Sequence, residues 1–124
     1  MTNTLSCGSV DGKNWGTTCC IFTSNDCECW SLNIKRGGYC SRHRHKNKWN
    51  RFLVVSGKLL VKIFRPDGIS DDTILTDGMC TDVCPGIEHM FEAFEDTKCI
   101  EIYWVSIDPD DIERSTVGGI RAKS

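Results

Sequence analysis

Imidazole is scarce in this chain: His43, His45 and His89 are the only three histidines among 124 residues, and two of them are separated by a single residue. The stretch from Tyr39 to His45 reads as extended. Side chains alternate along a strand, so His43 and His45 leave the same face with Cα atoms about 6.6 Å apart. Metal–nitrogen bonds are about 2.0–2.1 Å long, so two rings on one face can converge on a shared ion where rings on opposite faces cannot. A third ligand has to come from elsewhere in the chain, and His89 is the one imidazole left. By itself an H-x-H pair is a weak signal, because surface histidines adopt this spacing without holding a metal.

The residues around the histidines sharpen it. Five residues separate Gly37 from His43, Asn50 follows His45 after four, and Gly57 follows Asn50 after six. Downstream, Gly78 is followed after five residues by Cys84-Pro85-Gly86, and His89 comes after two more. These blocks resemble the paired motifs of the cupin family, G(x)5HxH(x)3-4E(x)6G and G(x)5PxG(x)2H(x)3N. The resemblance runs from about Trp15 to Arg114 and is nearest to the cupin domain of type II mannose-6-phosphate isomerases. Asn14-Trp15-Gly16 is similar to that group's R-P-W-G entry, and Ile34-Lys35-Arg36-Gly37 to the strand and K-P-G turn leading into the metal motif. Cys84-Pro85-Gly86-Ile87-Glu88-His89 is similar to its P-P-G-V-E-H, and Asp110-Asp111-Ile112-Glu113-Arg114 to its D-D-I-x-R exit.

The resemblance implies an all-β, antiparallel cupin barrel (a double-stranded β-helix, or jelly roll) with little helix. It implies one divalent ion (Fe, Mn, Zn or Ni) on His43, His45 and His89, with Asn50 as a fourth, weaker or indirect ligand. Cupins of this kind carry Glu at that place, and the neutral carbonyl of Asn50 is a poorer donor. A neutral ligand set leaves the ion's charge uncompensated, which favours acidic bound water and anionic ligands. Other departures are Ala93 in place of the second motif's Asn and Cys84 in place of its first Pro. Strand parity puts Tyr39 and Ser41 on the histidines' face and Cys40 on the other, with Phe52 and Phe91 forming an apolar wall. Tyr39, Ser41, Phe52 and Phe91 are therefore the expected ligand-binding residues. No inward carboxylate is evident. Three functions stay open: a sugar-phosphate isomerase or epimerase, as in the resembling group; an Fe(II) dioxygenase-like enzyme, which a three-histidine site with open positions suits; or a non-catalytic module binding a sugar or organic acid.

The elements that must position these residues are short and extended. Cys27 to Lys35 places Trp30, Leu32 and Ile34 on one face. Asn50 to Val55 and Lys58 to Phe64 read as a hairpin turning at Ser56-Gly57. Further strands are expected near Thr73 to Thr76, Met79 to Val83, His89 to Phe94 and Lys98 to Ile107, with turns at Pro66-Asp67-Gly68 and Pro85-Gly86. The one candidate helix is Pro109 to Arg114. Trp30, Trp49 and Trp104 could stack on a sugar, although aromatics at strand positions more often pack. Residues 1–12 are expected to be loose, 13–115 to form one domain, and 116–124 to be a tail.

Composition narrows the partners. Fifteen basic against 17 acidic residues give a net charge of -2, so no nucleic-acid or anionic-membrane partner is expected. No run approaches the roughly 20 apolar residues of a membrane span. A soluble, cytoplasmic protein that forms a homodimer through apolar second faces of its strands is the expectation. Nine cysteines are an odd number and follow no secretory signal, which favours reduced thiols over a disulfide scaffold. The spacing of Cys19, Cys20, Cys27 and Cys29 does not form two C-x-x-C pairs, and buried thiols serve as small apolar residues.

Overall fold

The computed structural model describes residues 10–105, 108 and 110–122, and among them it contains strands and turns but no helix. The strands are β1 (Val10–Lys13), β2 (Gly16–Thr23), β3 (Cys27–Ile34), β4 (Gly38–Tyr39), β5 (His43–Arg44), β6 (Trp49–Ser56) and β7 (Lys58–Phe64). They continue as β8 (Ser70–Thr76), β9 (Cys80–Val83), β10 (Glu88–Ala93), β11 (Thr97–Trp104), β12 (Glu113–Arg114) and β13 (Gly119–Ile120). All pairings are antiparallel. One sheet runs β1-β2-β3-β11-β6-β9; the other runs β12-β5-β10-β4-β13, with β7 joined to β10 and β8.

The alternation of apolar residues explains the core. Leu32, Ile34, Phe52, Val54 and Cys99 of the first sheet meet Leu59, Val61, Phe91 and Ala93 of the second, together with Leu75, Cys40 and Trp15. Antiparallel sheets with one face buried read as apolar-in and polar-out, and β6 follows that rule closely: Asn50, Phe52 and Val54 are buried while Arg51 and Val55 are exposed.

Three expectations need correction. β6 and β7 are not a hairpin, because β6 pairs with β11 and β9 whereas β7 pairs with β10 and β8. Ser56-Gly57 carries the chain from one sheet to the other. Gly57 has φ +111, and a Cβ there would stand 2.6 Å from the carbonyl oxygen of Asp96, so the crossover requires glycine. The candidate helix at Pro109 to Arg114 is not formed: Glu113 and Arg114 pair as a strand with Arg44 and His43. Pro109 itself, like Ser106 and Ile107 at the expected end of β11, lies outside the described residues. Finally, the extended stretch from Tyr39 to His45 is two strands with a break between them, and this break shifts the side-chain parity. The sheets also begin at Val10 and reach Ile120, where β13 pairs with β4.

Candidate metal centre

β5 and β10 are neighbours, and His43 lies directly opposite His89 in the ladder. His45 follows two residues after His43, so the three rings gather at one end of the barrel interior. Ring centroids are 4.5 Å apart for His43 and His89, 5.0 Å for His43 and His45, and 5.5 Å for His45 and His89. All three residues are buried. One nitrogen from each ring lies within 4.8 Å of the others, the only such group of histidine, cysteine or acidic ligands among the described residues. Among the described residues the Cys19, Cys20, Cys27 and Cys29 region forms no such group, and Cys20, Cys27, Cys29, Cys40, Cys80, Cys84 and Cys99 are free thiols.

Backbone carbonyls decide which nitrogen is offered. His43 Nδ1 lies 2.7 Å from the carbonyl oxygen of Ser41, His45 Nδ1 2.7 Å from that of Asp111, and His89 Nδ1 2.9 Å from that of Ile87. A carbonyl can only accept, so each Nδ1 carries the proton and donates, which leaves Nε2 with a free lone pair. This is the anchoring that metal-ligating histidines commonly have. Burial, then the neighbouring His89 and His45, pushes the pKa of His43 down to about 3. Burial also pushes His45 down to about 4 and lowers His89. The rings are therefore neutral and ready to coordinate at ordinary pH.

Two further observations fit a cation. The buried Nε2 of His45 has no hydrogen-bond partner among the described residues. His89 Nε2 faces Asn50 Oδ1 at 3.2 Å, so two lone pairs point at one another. Ligands about 2.1 Å from a shared ion stand about 3.0 Å apart when cis. The contact has the spacing of two ligands with an ion between them. His43, His45, His89 and Asn50 together suit one divalent ion, with three neutral imidazoles and one neutral carbonyl.

The expected ligand-binding residues fare differently. Ser41 is half-buried, its hydroxyl 3.1 Å from His43 Nδ1, and it lines a cavity of about 240 Å³ that also contains His43 and Phe91. Phe52 stands behind that wall, its ring 6.1 Å from His89 and 5.9 Å from Phe91. Tyr39 is not brought to the histidines. Its ring lies beneath Arg121, whose guanidinium carbon is 4.0 Å from the centroid, because the break after β4 turns it outward. The same break turns Cys40 inward, where its sulfur accepts the Phe91 N–H at 3.2 Å and burial pushes its pKa up. A neutral, occupied thiol is a poor ligand, although for a different reason than parity. Trp49 and Trp104 stack on each other at 5.8 Å on the outer face of the first sheet.

Sequence reasoning missed Glu101. On β11, Cys99 is fully buried and Glu101 and Tyr103 continue the same inward parity, opposite Phe52 and Asn50 of β6. Glu101 lines the cavity with His43. Burial pushes its pKa up to about 7, against the pull of the Tyr103 hydroxyl, the Asn50 amide and the Lys48 ammonium. The Asn50 contact is electrostatic, since Asn50 Nδ2 completes no well-formed hydrogen bond. Lys48 is buried, its ammonium 4.0 Å from the Tyr103 ring centroid. Asp111 was also given no role, yet its carboxylate accepts the backbone N–H groups of Lys46 and Asn47 at 2.7 and 2.8 Å, fixing the loop beyond His45.

Two antiparallel sheets enclosing a three-histidine pocket define a cupin fold. No family model matches the chain, and no curated protein matches it significantly in sequence. Among solved structures the chain is similar to oxalate decarboxylase from Bacillus subtilis, with a TM-score of 0.76 at 15% identity over 87% of this chain. A variant of that enzyme gives a TM-score of 0.77 at 16% identity over 87%. A third structure, described by its Mn(II) centres, gives 0.74 at 13% over 86%. The chain spans 30% of the length of each of these chains. The likeness establishes the fold.

Proposed function

We propose that the chain binds one divalent metal ion through Nε2 of His43, His45 and His89 and uses Glu101 to move a proton on a small polar ligand held beside it. The observation that carries this reading is Glu101, an acidic residue, in the wall of the cavity that His43 also lines. A bound divalent ion would supply Lewis acidity to an oxygen of the ligand. Glu101, held near neutrality by burial, accepts or returns a proton at the adjacent carbon or oxygen. Ser41 supplies a hydroxyl to the ligand, and Phe91 and Trp15 keep that side of the cavity dry. This is the chemistry of an isomerase or epimerase acting on a sugar phosphate or hydroxy acid, and an inward carboxylate is the part such a reaction needs. Mn(II) is the first ion to try, because the similar oxalate decarboxylase is described with Mn(II) centres.

The test is deuterium exchange. The Mn(II)-loaded protein, kept without oxygen in D2O, is expected to exchange a proton alpha to the carbonyl of a panel of sugar phosphates and hydroxy acids, and Glu101→Gln to lose that exchange with its metal content intact. Exchange that survives in Glu101→Gln defeats the assignment. The second reading, an Fe(II) dioxygenase-like enzyme, is favoured by one observation: no carboxylate belongs to the metal-ligand group. Oxygen uptake by the Fe(II)-loaded protein with a thiol or diketone supports it. A homodimer would use the outer face of the first sheet, where Val55 is exposed and Leu53, Ile100 and Ile102 are half-buried; light scattering reads it directly.

A further inference from the structure

We propose that Arg114 is an anion receptor at the mouth of the metal cavity and restricts its ligands to small organic molecules carrying a carboxylate or phosphate group. The inference rests on the metal reading above for where the ligand's other end is held. β12 pairs with β5 so that Arg114 lies directly opposite His43, and opposite residues of an antiparallel pair share a face. His43 is thus flanked by His89 on one side and Arg114 on the other. Arg114 is exposed and lines the same cavity as His43 and Glu101, as does Lys13.

Nearby cations are neutralised on the outer surface. Arg42 pairs with Glu88, Arg44 and Lys46 with Glu113, and Arg121 with Glu92. Glu113 is the neighbour of Arg114 in sequence, but strand alternation sends it to the other face. Arg114 and Lys13 have no ion pair among the described residues. Glu101 is the one acidic residue in the cavity wall, against Arg114 and Lys13. A ligand that complements this wall is an anion.

The arginine is carried on a fixed strap. Ser115 N donates to Arg42 O at 2.7 Å, Arg42 N to Thr116 Oγ1 at 2.8 Å, and Ser115 Oγ to Glu88 Oε2 at 2.8 Å. Gly118 packs against the backbone of Tyr39 and Cys40 too closely for any side chain, and Asn14 Nδ2 donates to its carbonyl at 3.2 Å. The strap fixes where the side chain of Arg114 starts, and its planar guanidinium can fork onto a carboxylate or phosphate. The cavity volume of about 240 Å³ equals that of about eight water molecules, which suits a small organic ligand.

Calorimetry on the Mn(II)-loaded and metal-free full chain tests this, with malonate, succinate and glycerol 3-phosphate as anionic probes and malonamide and glycerol as neutral ones. Arg114→Gln is expected to weaken the anions about tenfold or more, the scale of losing hydrogen bonds to a charged group, while neutral probes and Mn(II) content stay unchanged. Arg114→Lys should restore part of the loss, and Arg44→Gln, on the outer face, should behave as wild type. Selective loss of the carboxylates or of the phosphate identifies which anion the receptor suits. Equal anion affinity in wild type and Arg114→Gln, or no anion binding to wild type below about 10 mM, overturns the proposal. Arg114-dependent anion binding in a chain that takes no Mn(II) would sink the metal reading and leave the receptor standing.

Discussion

The two ends of the barrel interior are built from the same strand faces and behave as different materials. Along β6 the inward residues run Asn50, Phe52, Val54; along β10 they run His89, Phe91, Ala93; along β11, read backwards, they run Tyr103, Glu101, Cys99. At one end Val54, Ala93 and Cys99 are fully buried with Leu59 and Leu75 and need no partner beyond close packing. At the other, every imidazole needs a backbone carbonyl to hold it, and two buried nitrogens, His45 Nε2 and Asn50 Nδ2, still have no hydrogen-bond partner among the described residues. Phe52 and Phe91, 5.9 Å apart and nearly perpendicular, form the layer between, and Trp15 packs edge-on to Phe91 at 5.2 Å. Stability is concentrated on one side of that layer. Chemistry, and its unsatisfied polar groups, is concentrated on the other.

Removing the dividing layer should have the largest effect. Phe52 is fully buried, and Phe52→Ala is expected to cost about 3–5 kcal/mol in urea unfolding. A cost under about 1 kcal/mol would mean that the layer does not pack as a unit with the apolar end. The reverse experiment is His45→Ala. It should lower Mn(II) or Zn(II) affinity by about 100-fold or more, since even an indirect partner of a metal ligand is worth about 10–100-fold. The unfolding free energy of its metal-free form should change less than that of Phe52→Ala. If His45→Ala instead destabilises the metal-free chain as much as Phe52→Ala does, the polar end is core and the comparison fails.

Proton linkage separates the ends more finely. Glu101 has its pKa raised to about 7 by burial, above the ordinary carboxylate value, so the native state holds that proton where the unfolded chain has released it. Its cost to stability therefore appears as pH rises from about 4.5 and is complete above about 7. Glu101→Gln should stabilise the metal-free protein by about 1–3 kcal/mol at pH 8 and progressively less toward pH 4.5. The histidines act in the opposite sense. With His43 at about 3 and His45 at about 4, the unfolded chain binds more protons than the native one below about 6.5, and stability falls as pH drops through that window. A pH-independent difference between Glu101→Gln and wild type would show that the carboxyl is solvated rather than buried.

The histidine end was legible because its signal is local. Two residues on one strand face and a glycine-framed third need no knowledge of long-range pairing. Glu101 was not, because β11 carries Cys99, Glu101 and Tyr103 on one face and Ile100, Ile102 and Trp104 on the other, and the more apolar set faces outward. Parity fixes which residues share a face, not which face is inside. Ser56-Gly57 misled for a related reason: glycine between two alternating runs signals a reversal, but whether the next strand pairs with its neighbour or joins the opposite sheet is decided by distant partners. Tyr39 was misplaced by a break in the strand after β4, which no residue type at Cys40 or Ser41 announces.

The smallest change asks what the neutral Asn50 does for the polar end. Asp is nearly isosteric with Asn, so Asn50→Asp adds a charge and removes the unsatisfied Nδ2 without altering shape. A carboxylate 3.2 Å from His89 Nε2 would complement a divalent ion, and Mn(II) affinity should rise about tenfold, or 1.4 kcal/mol. Glu101 limits that gain. Its carboxyl already interacts with the residue 50 side chain, and a second carboxylate there would push its pKa further up by like-charge repulsion. The double variant Asn50→Asp, Glu101→Gln should therefore bind Mn(II) more tightly than Asn50→Asp alone, a non-additivity that isothermal titration of the four proteins reads as a coupling energy. Strict additivity would place the two side chains in separate fields and remove Glu101 from the metal's surroundings.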